Sequence, residues 1–177
     1  MKKGGFHPQS GKNDMLAPDI VTGILSYMNT PIIFLDFDGV IRVSIDGGWV
    51  APDQAEFCQE RMKRIASVCI QTGAQIVVSS DWRQWDNQLE IEALLQPHLT
   101  EFLHNDWATP ICGFRHKEVA RWLAAHPEVT HYAILEDYAP HFDGCSDDMK
   151  KRLVLCTNRY GFVPELVGRT IQLLTHD

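Results

Sequence analysis

Four short apolar runs punctuate the chain, each flanked by polar or turn-forming residues. The first, Ile32 to Leu35, follows Pro31 and ends on Asp36. The second runs from Gln75 to Ser79, the third from His131 to Leu135 with Glu136 behind it, and the fourth from Arg152 to Cys156. Such short runs of Ile, Val and Leu, without polar alternation, predict strands buried on both faces of a parallel sheet. Between them, apolar positions fall at helical spacing. Residues 53–72 bring Phe57, Met62, Ile65, Val68 and Cys69 to one side, with Asp53 as N-cap and Gly73 as the stop. Residues 86–96 form a second helix closed by Pro97, 115–125 a third ended by Pro127, and 164–174 a last one opened by Pro164. A short helix over 19–29, a hairpin-like stretch over 43–50 and a short strand around Glu101–His104 complete the pattern. Strand alternating with helix predicts the α/β class. The expectation is a single Rossmann-like three-layer domain over residues 19–177, with a mainly parallel sheet and helices on both faces. Residues 1–18 are expected to be a flexible or loosely packed N-terminal tail.

Composition narrows the reading without changing it. The chain has 177 residues, about the size of one domain with its own core, and 45% of them are hydrophobic, which argues against wholesale disorder. Lys plus Arg number 16 against 23 for Asp plus Glu, so the net charge is −7. That balance argues against coating nucleic acid or anionic membrane by bulk charge, but leaves room for a local basic groove. No stretch approaches the roughly 18 uninterrupted apolar residues of a membrane span. Two N-terminal lysines have no apolar run behind them, so a cytoplasmic location without membrane partners is expected. The five cysteines are odd in number and show no C-x-x-C spacing, which fits reduced thiols, with Cys69 and Cys156 in the core. The eight histidines show no metal-ligand spacing. Trp85, Trp107 and Trp122 read as core residues, and Trp49 as an exposed aromatic able to touch a substrate.

The chemistry-bearing residues sit where the apolar runs end. In open parallel sheets ligands bind beyond the carboxyl ends of the strands. Those ends deliver Asp36-Phe37-Asp38-Gly39, then Ser79-Ser80-Asp81-Trp82-Arg83, then Glu136-Asp137; the third helix starts at Arg115 with Lys117 two residues on. An Asp-x-Asp in a loop is commonly a solvated turn, but directly behind a buried strand it reads as a site. Asp36, Asp38, Glu136 and Asp137 would repel one another at close range unless protons or a cation intervene. A hard oxygen cluster suits Mg²⁺. One carboxylate can then act as nucleophile and another as general acid and base, while a hydroxyl and a cation hold phosphoryl oxygens.

The stretch IIFLDFDGV, the strand ending on Ser79, a downstream cation and the strand ending on Glu136-Asp137 resemble the four motifs of the haloacid-dehalogenase (HAD) superfamily of phosphohydrolases. The Ser-Ser-x-Trp-Arg form of the second motif, with Gly161–Leu166 near the C-terminus, resembles the HAD domain of RNA-repair proteins. The resemblance implies a Mg²⁺-dependent phosphatase with Asp36 as nucleophile and metal ligand, and Asp38 as general acid/base offering its backbone carbonyl to the metal. It makes Ser79 a phosphoryl ligand and Lys117 the third-motif cation, with Arg115 as the alternative. Glu136 and Asp137 are the remaining metal ligands, one direct and one through water. Gly39, Ser80, Arg83 and Arg115 are expected to line the substrate site, Arg83 also by bracing the loop. The segments 40–74 and 84–114 leave little room for a cap, so an open site is expected. It would admit a phosphate on a large partner, such as a nucleic-acid end or a phosphoprotein, and nucleotides as well. The competing class is a phosphate- or partner-binding module of weak turnover, for which an acid/base at Asp38 would serve no purpose.

Overall fold

A computed structural model describes residues 29–43 and 57–176. The expected tail, most of the helix over 19–29, nearly all of the 43–50 stretch, Trp49 and Asp53 lie outside the described residues. The elements are β1 (Ile32–Leu35), α1 (Gln59–Thr72), β2 (Gln75–Val78), α2 (Gln88–Leu95), β3 (Leu103–Ala108), α3 (Arg115–Ala125), β4 (Tyr132–Glu136), α4 (Asp147–Lys151), β5 (Leu153–Leu155) and α5 (Pro164–Thr175). Short 3₁₀ turns follow β2 at Asp81–Gln84 and β4 at Ala139–Phe142. The five strands pair in the order β3-β2-β1-β4-β5, every pair parallel. This is the α/β fold that the apolar runs predict.

Each strand splits its side chains between two cores because successive residues point to opposite faces. Ile33 and Leu35 join Ile76, Val78 and Leu135 against α1, α2 and α5. Ile32 and Phe34 join Val77, Ile134, Val119, Trp122, Phe142 and Met149 on the other face. There the Phe34 and Trp122 rings meet edge-on at 5.4 Å. Helices therefore cover both faces, and β1 and β4 are buried at every position.

Local details depart from the pattern in places. Helix α1 starts at Gln59 with Cys58, not Asp53, in the N-cap position, and Cys58 makes no side-chain cap. Gly73 ends it in the left-handed region, φ 70°, as expected of a C-terminal glycine. Helix α2 is set by Asn87, whose carboxamide accepts from Leu89 and Glu90 while Glu90 bonds back to the Asn87 amide. The strand expected near Glu101–His104 runs instead over Leu103–Ala108, and its register with β2 is broken. Its sequence, LHNDWA, is that of a half-exposed edge and carries no apolar run. Trp122 is buried and Trp107 packs on the core, whereas Trp85 is 74% exposed and belongs to neither core. Cys69 and Cys156 are buried, and burial pushes both thiols up to about 12. Among the described residues no helix is long and apolar enough to cross a membrane. Between Ser79 and Arg115 the chain holds a 3₁₀ turn, α2, a second 3₁₀ turn and β3, with no additional domain.

Candidate functional site

Strand register assembles the site. Leu35 stands opposite Val78 on one side and Leu135 on the other. The next residues, Asp36, Ser79 and Glu136, therefore leave the sheet at one level. The ladder continues through them: the Asp36 amide donates to Leu135 O at 3.1 Å and the Ser79 amide to Leu35 O at 2.9 Å. Three separate segments thus place two acids and a hydroxyl side by side at the carboxyl edge.

Asp36, Glu136 and Asp137 each bring an oxygen within 4.8 Å of the other two. Asp36 and Glu136 are buried and Asp137 is half-buried. Burial first, and Glu136 beside it, push the Asp36 carboxyl well above the usual range, while Arg115 and the nearby Ser80 hydroxyl pull the other way. Asp137 is pushed up to about 6, again by burial and by Glu136. Glu136 stays below its ordinary value despite burial, because His141, Arg115 and the Tyr138 amide favour its charged form. Its Oε1 accepts from the Asp137 and Tyr138 amides at 3.2 Å and lies 3.4 Å from His141 Nδ1. Its Oε2 accepts no hydrogen bond, and Arg115 Nε lies 3.7 Å away. A buried carboxylate oxygen without a donor, grouped with two further acids, is a donor set that a hard divalent cation satisfies.

Gly39 lets the chain turn directly over this cluster. Its φ is +68°, and an added Cβ would fall inside the Asp137 side chain, so the glycine meets both a conformational and a steric demand. The Asp38 side chain is 51% exposed and is not among the three grouped acids. It pairs with Arg42 through one oxygen and accepts from Trp82 Nε1 at 2.9 Å through the other.

Of the two expected third-motif cations, the structure brings Arg115 to the acids. Arg115 is buried, 3.7 Å from Glu136 and 3.1 Å from Asp81 Oδ1. Lys117 is exposed, with its ammonium 4.6 Å from the centre of the Phe114 ring. The two residues are about 200° apart around a helix, so only one of them can face the sheet edge. Val119 and Trp122 are the buried stripe of α3, and Arg115 lies on that stripe, four and seven residues earlier. The helical phase was thus a usable signal for Arg115.

Arg83 is buried and serves the loop. Its Nε donates to Thr109 O at 2.9 Å, its Nη1 to the carbonyls of Ser79 (2.7 Å) and Ser80, and its Nη2 to Glu118 Oε2 at 2.5 Å. Glu118 Oε1 in turn accepts from the Cys112 and Gly113 amides at 2.9 and 3.1 Å. The pair braces the Ser79 loop against the loop before α3, and the buried Ser79 hydroxyl is left without a hydrogen-bond partner. Glu118, Arg42 and the Trp82–Asp38 bond are structural partners of the site that sequence reading did not reveal. His141 also reaches Glu136.

No curated protein and no solved structure matches the chain. A family model does, over residues 32–167, a span that holds all five strands and every acid of the cluster; it describes the HAD domain in Swiss Army Knife RNA repair proteins. Three strand-end motifs and a helix-borne cation, the parallel sheet that aligns them and that match lead to one conclusion: the chain belongs to the HAD superfamily, in the family of HAD domains found in Swiss Army Knife RNA repair proteins.

Proposed function

We propose that the chain is a Mg²⁺-dependent phosphomonoesterase working through an aspartyl-phosphate on Asp36. The observation that carries the reading is the triad Asp36, Glu136 and Asp137 gathered within 4.8 Å around a buried oxygen that has no donor. Bound there, Mg²⁺ supplies the positive charge that neutralises the acids and the phosphoryl oxygens. The Asp36 carboxylate attacks phosphorus, the bond to the leaving oxygen breaks, and Asp38 gives that oxygen its proton. Water then attacks the phosphorylated aspartate, Asp38 takes the water's proton, and inorganic phosphate leaves with Asp36 restored. Arg115 and the Ser79 hydroxyl hold the remaining phosphoryl oxygens, in the geometry of charge stabilisation that dominates phosphoryl transfer.

For substrate we infer a phosphorylated nucleic-acid end, on two supports. The matched family is named for RNA repair proteins. The described residues between Ser79 and Arg115 add no domain that would enclose a small substrate. Asp36→Asn should abolish phosphate release from 3′- and 5′-phosphorylated oligonucleotides while leaving the circular dichroism spectrum unchanged. Chelation should silence the native chain and Mg²⁺ restore it. Hydrolysis surviving either treatment would place the chemistry elsewhere, and preference for sugar phosphates or phosphopeptides would overturn the substrate assignment.

A further inference from the structure

We infer that Trp82 is a positioning residue for Asp38, its indole N–H fixing the carboxylate that protonates the leaving oxygen. The inference rests on the acid/base role proposed above for Asp38 and adds the residue that makes the role effective. An aspartate half in water would ordinarily sample several rotamers. Here Trp82 Nε1 donates to Oδ2 at 2.9 Å while Arg42 pairs with Oδ1. A carboxylate has about four acceptor positions, so two restraints leave two positions to carry a proton. The indole only donates, so it can hold the carboxylate without competing for that proton.

Trp82 is itself immobilised. Its ring packs edge-on against Phe57 at 5.5 Å and tilts against Phe37 at 6.3 Å, and the Arg42 guanidinium lies 5.3 Å from its centre. It sits three residues after Ser79, in the 3₁₀ turn Asp81–Gln84, and its neighbour Arg83 pins the Ser79 and Ser80 carbonyls that lead into that turn. The loop that presents the Ser79 hydroxyl therefore also aims the acid. Such coupling matters because a general acid contributes about 10²- to 10⁴-fold only when held within hydrogen-bond reach of its target.

The test separates substrates by their need for that proton. A 3′-phosphorylated oligonucleotide releases an alcohol and requires protonation; p-nitrophenyl phosphate releases a phenolate that leaves without it. Trp82→Phe keeps the ring against Phe37 and Phe57 and deletes the N–H. It should lower the single-turnover rate of alcohol release from the oligonucleotide by about tenfold or more and leave the p-nitrophenolate burst within about threefold. Reading the first turnover excludes hydrolysis of the aspartyl ester, in which Asp38 acts as base for both substrates. In an Asp38→Asn background the same change should cause no further loss. Replacing Trp82 by the sulfur isostere β-(3-benzothienyl)alanine, which keeps the full ring shape, should reproduce the selective loss even if the Phe variant folds poorly. Equal losses in the first turnover of both substrates, or additive losses with Asp38→Asn, would reduce Trp82 to packing and overturn the inference. If Asp36→Asn retained turnover, the underlying reading would fail instead, so the two failures are distinguishable.

Discussion

Replacing Arg83 by Met should destabilise the protein by about 3–5 kcal/mol, the usual cost of removing one partner from a buried ion pair. The figure follows from what the guanidinium holds. Its side chain is 1% exposed and that of Glu118 is 6% exposed, so water cannot take over either role. Deleting it strands the Glu118 carboxylate with only the Cys112 and Gly113 amides, and frees the Thr109, Ser79 and Ser80 carbonyls. Each buried acceptor left bare adds to the cost by about 1–3 kcal/mol unless the loop rearranges to find a new donor. For a chain of this length 1 kcal/mol corresponds to about 2–4 °C, so a fall in Tm of about 6–20 °C is expected. Urea titration followed by tryptophan fluorescence measures the free energy directly. Arg83→Lys should recover little, since one ammonium cannot reach acceptors spread around a planar fork. The double variant Arg83→Met/Glu118→Gln should be more stable than Arg83→Met alone, because it removes the orphaned charge. A loss under about 1 kcal/mol for Arg83→Met, or strict additivity in the double variant, would show that the brace contributes nothing.

Two further outcomes follow from the acids. Gly39→Ala should cost about 1–2 kcal/mol for the left-handed backbone alone, and should abolish any Mg²⁺-induced rise in Tm because the new methyl displaces Asp137; an intact metal response would contradict the placement. Burial and Glu136 raise Asp137 from 3.8 to about 6, so the folded state holds this proton more tightly than the unfolded one. Its contribution to stability is therefore present at low pH and lost as pH rises through that window. Mg²⁺ competes with the same proton, so the metal-induced gain in Tm should be large at about pH 7.5 and shrink below about pH 6; an equal gain at about pH 5 would refute carboxylate ligation.

The parts of this fold visible in the sequence are those where local pattern and tertiary burial agree. Strands β1, β2 and β4 are buried on both faces, so apart from Gln75 at the start of β2 their runs stay apolar up to Asp36, Ser79 and Glu136, the residues that enter the site. Strand β3 was misplaced because an edge strand with a broken register needs no apolar run to be held. The site acids were legible for the same reason as the strands. Their counterparts were not: Trp82 to Asp38 and Arg83 to Glu118 join segments whose approach depends on the completed sheet, and Arg42 meets Asp38, four residues away, only through the tight turn that holds both. Arg115 is intermediate. It begins a helix whose inward face is declared by Val119 and Trp122, and extending that face backwards by one turn selects it over Lys117. Helical phase puts Arg115, and not Lys117, on the inward face.

Asp36 and Asp38 stand two residues apart, yet one is sealed, at 5% exposure, and the other is half in water. On the proposed mechanism this separates two supply routes. The attacking group works in a dry environment that keeps stray water from its ester, while the proton carrier exchanges directly with bulk solvent. Reloading between catalytic cycles then needs neither a chain of buried relays nor a gate that opens and shuts. The enzyme's rhythm would be set by how fast a bulky strand end can arrive at and leave an edge that is already prepared.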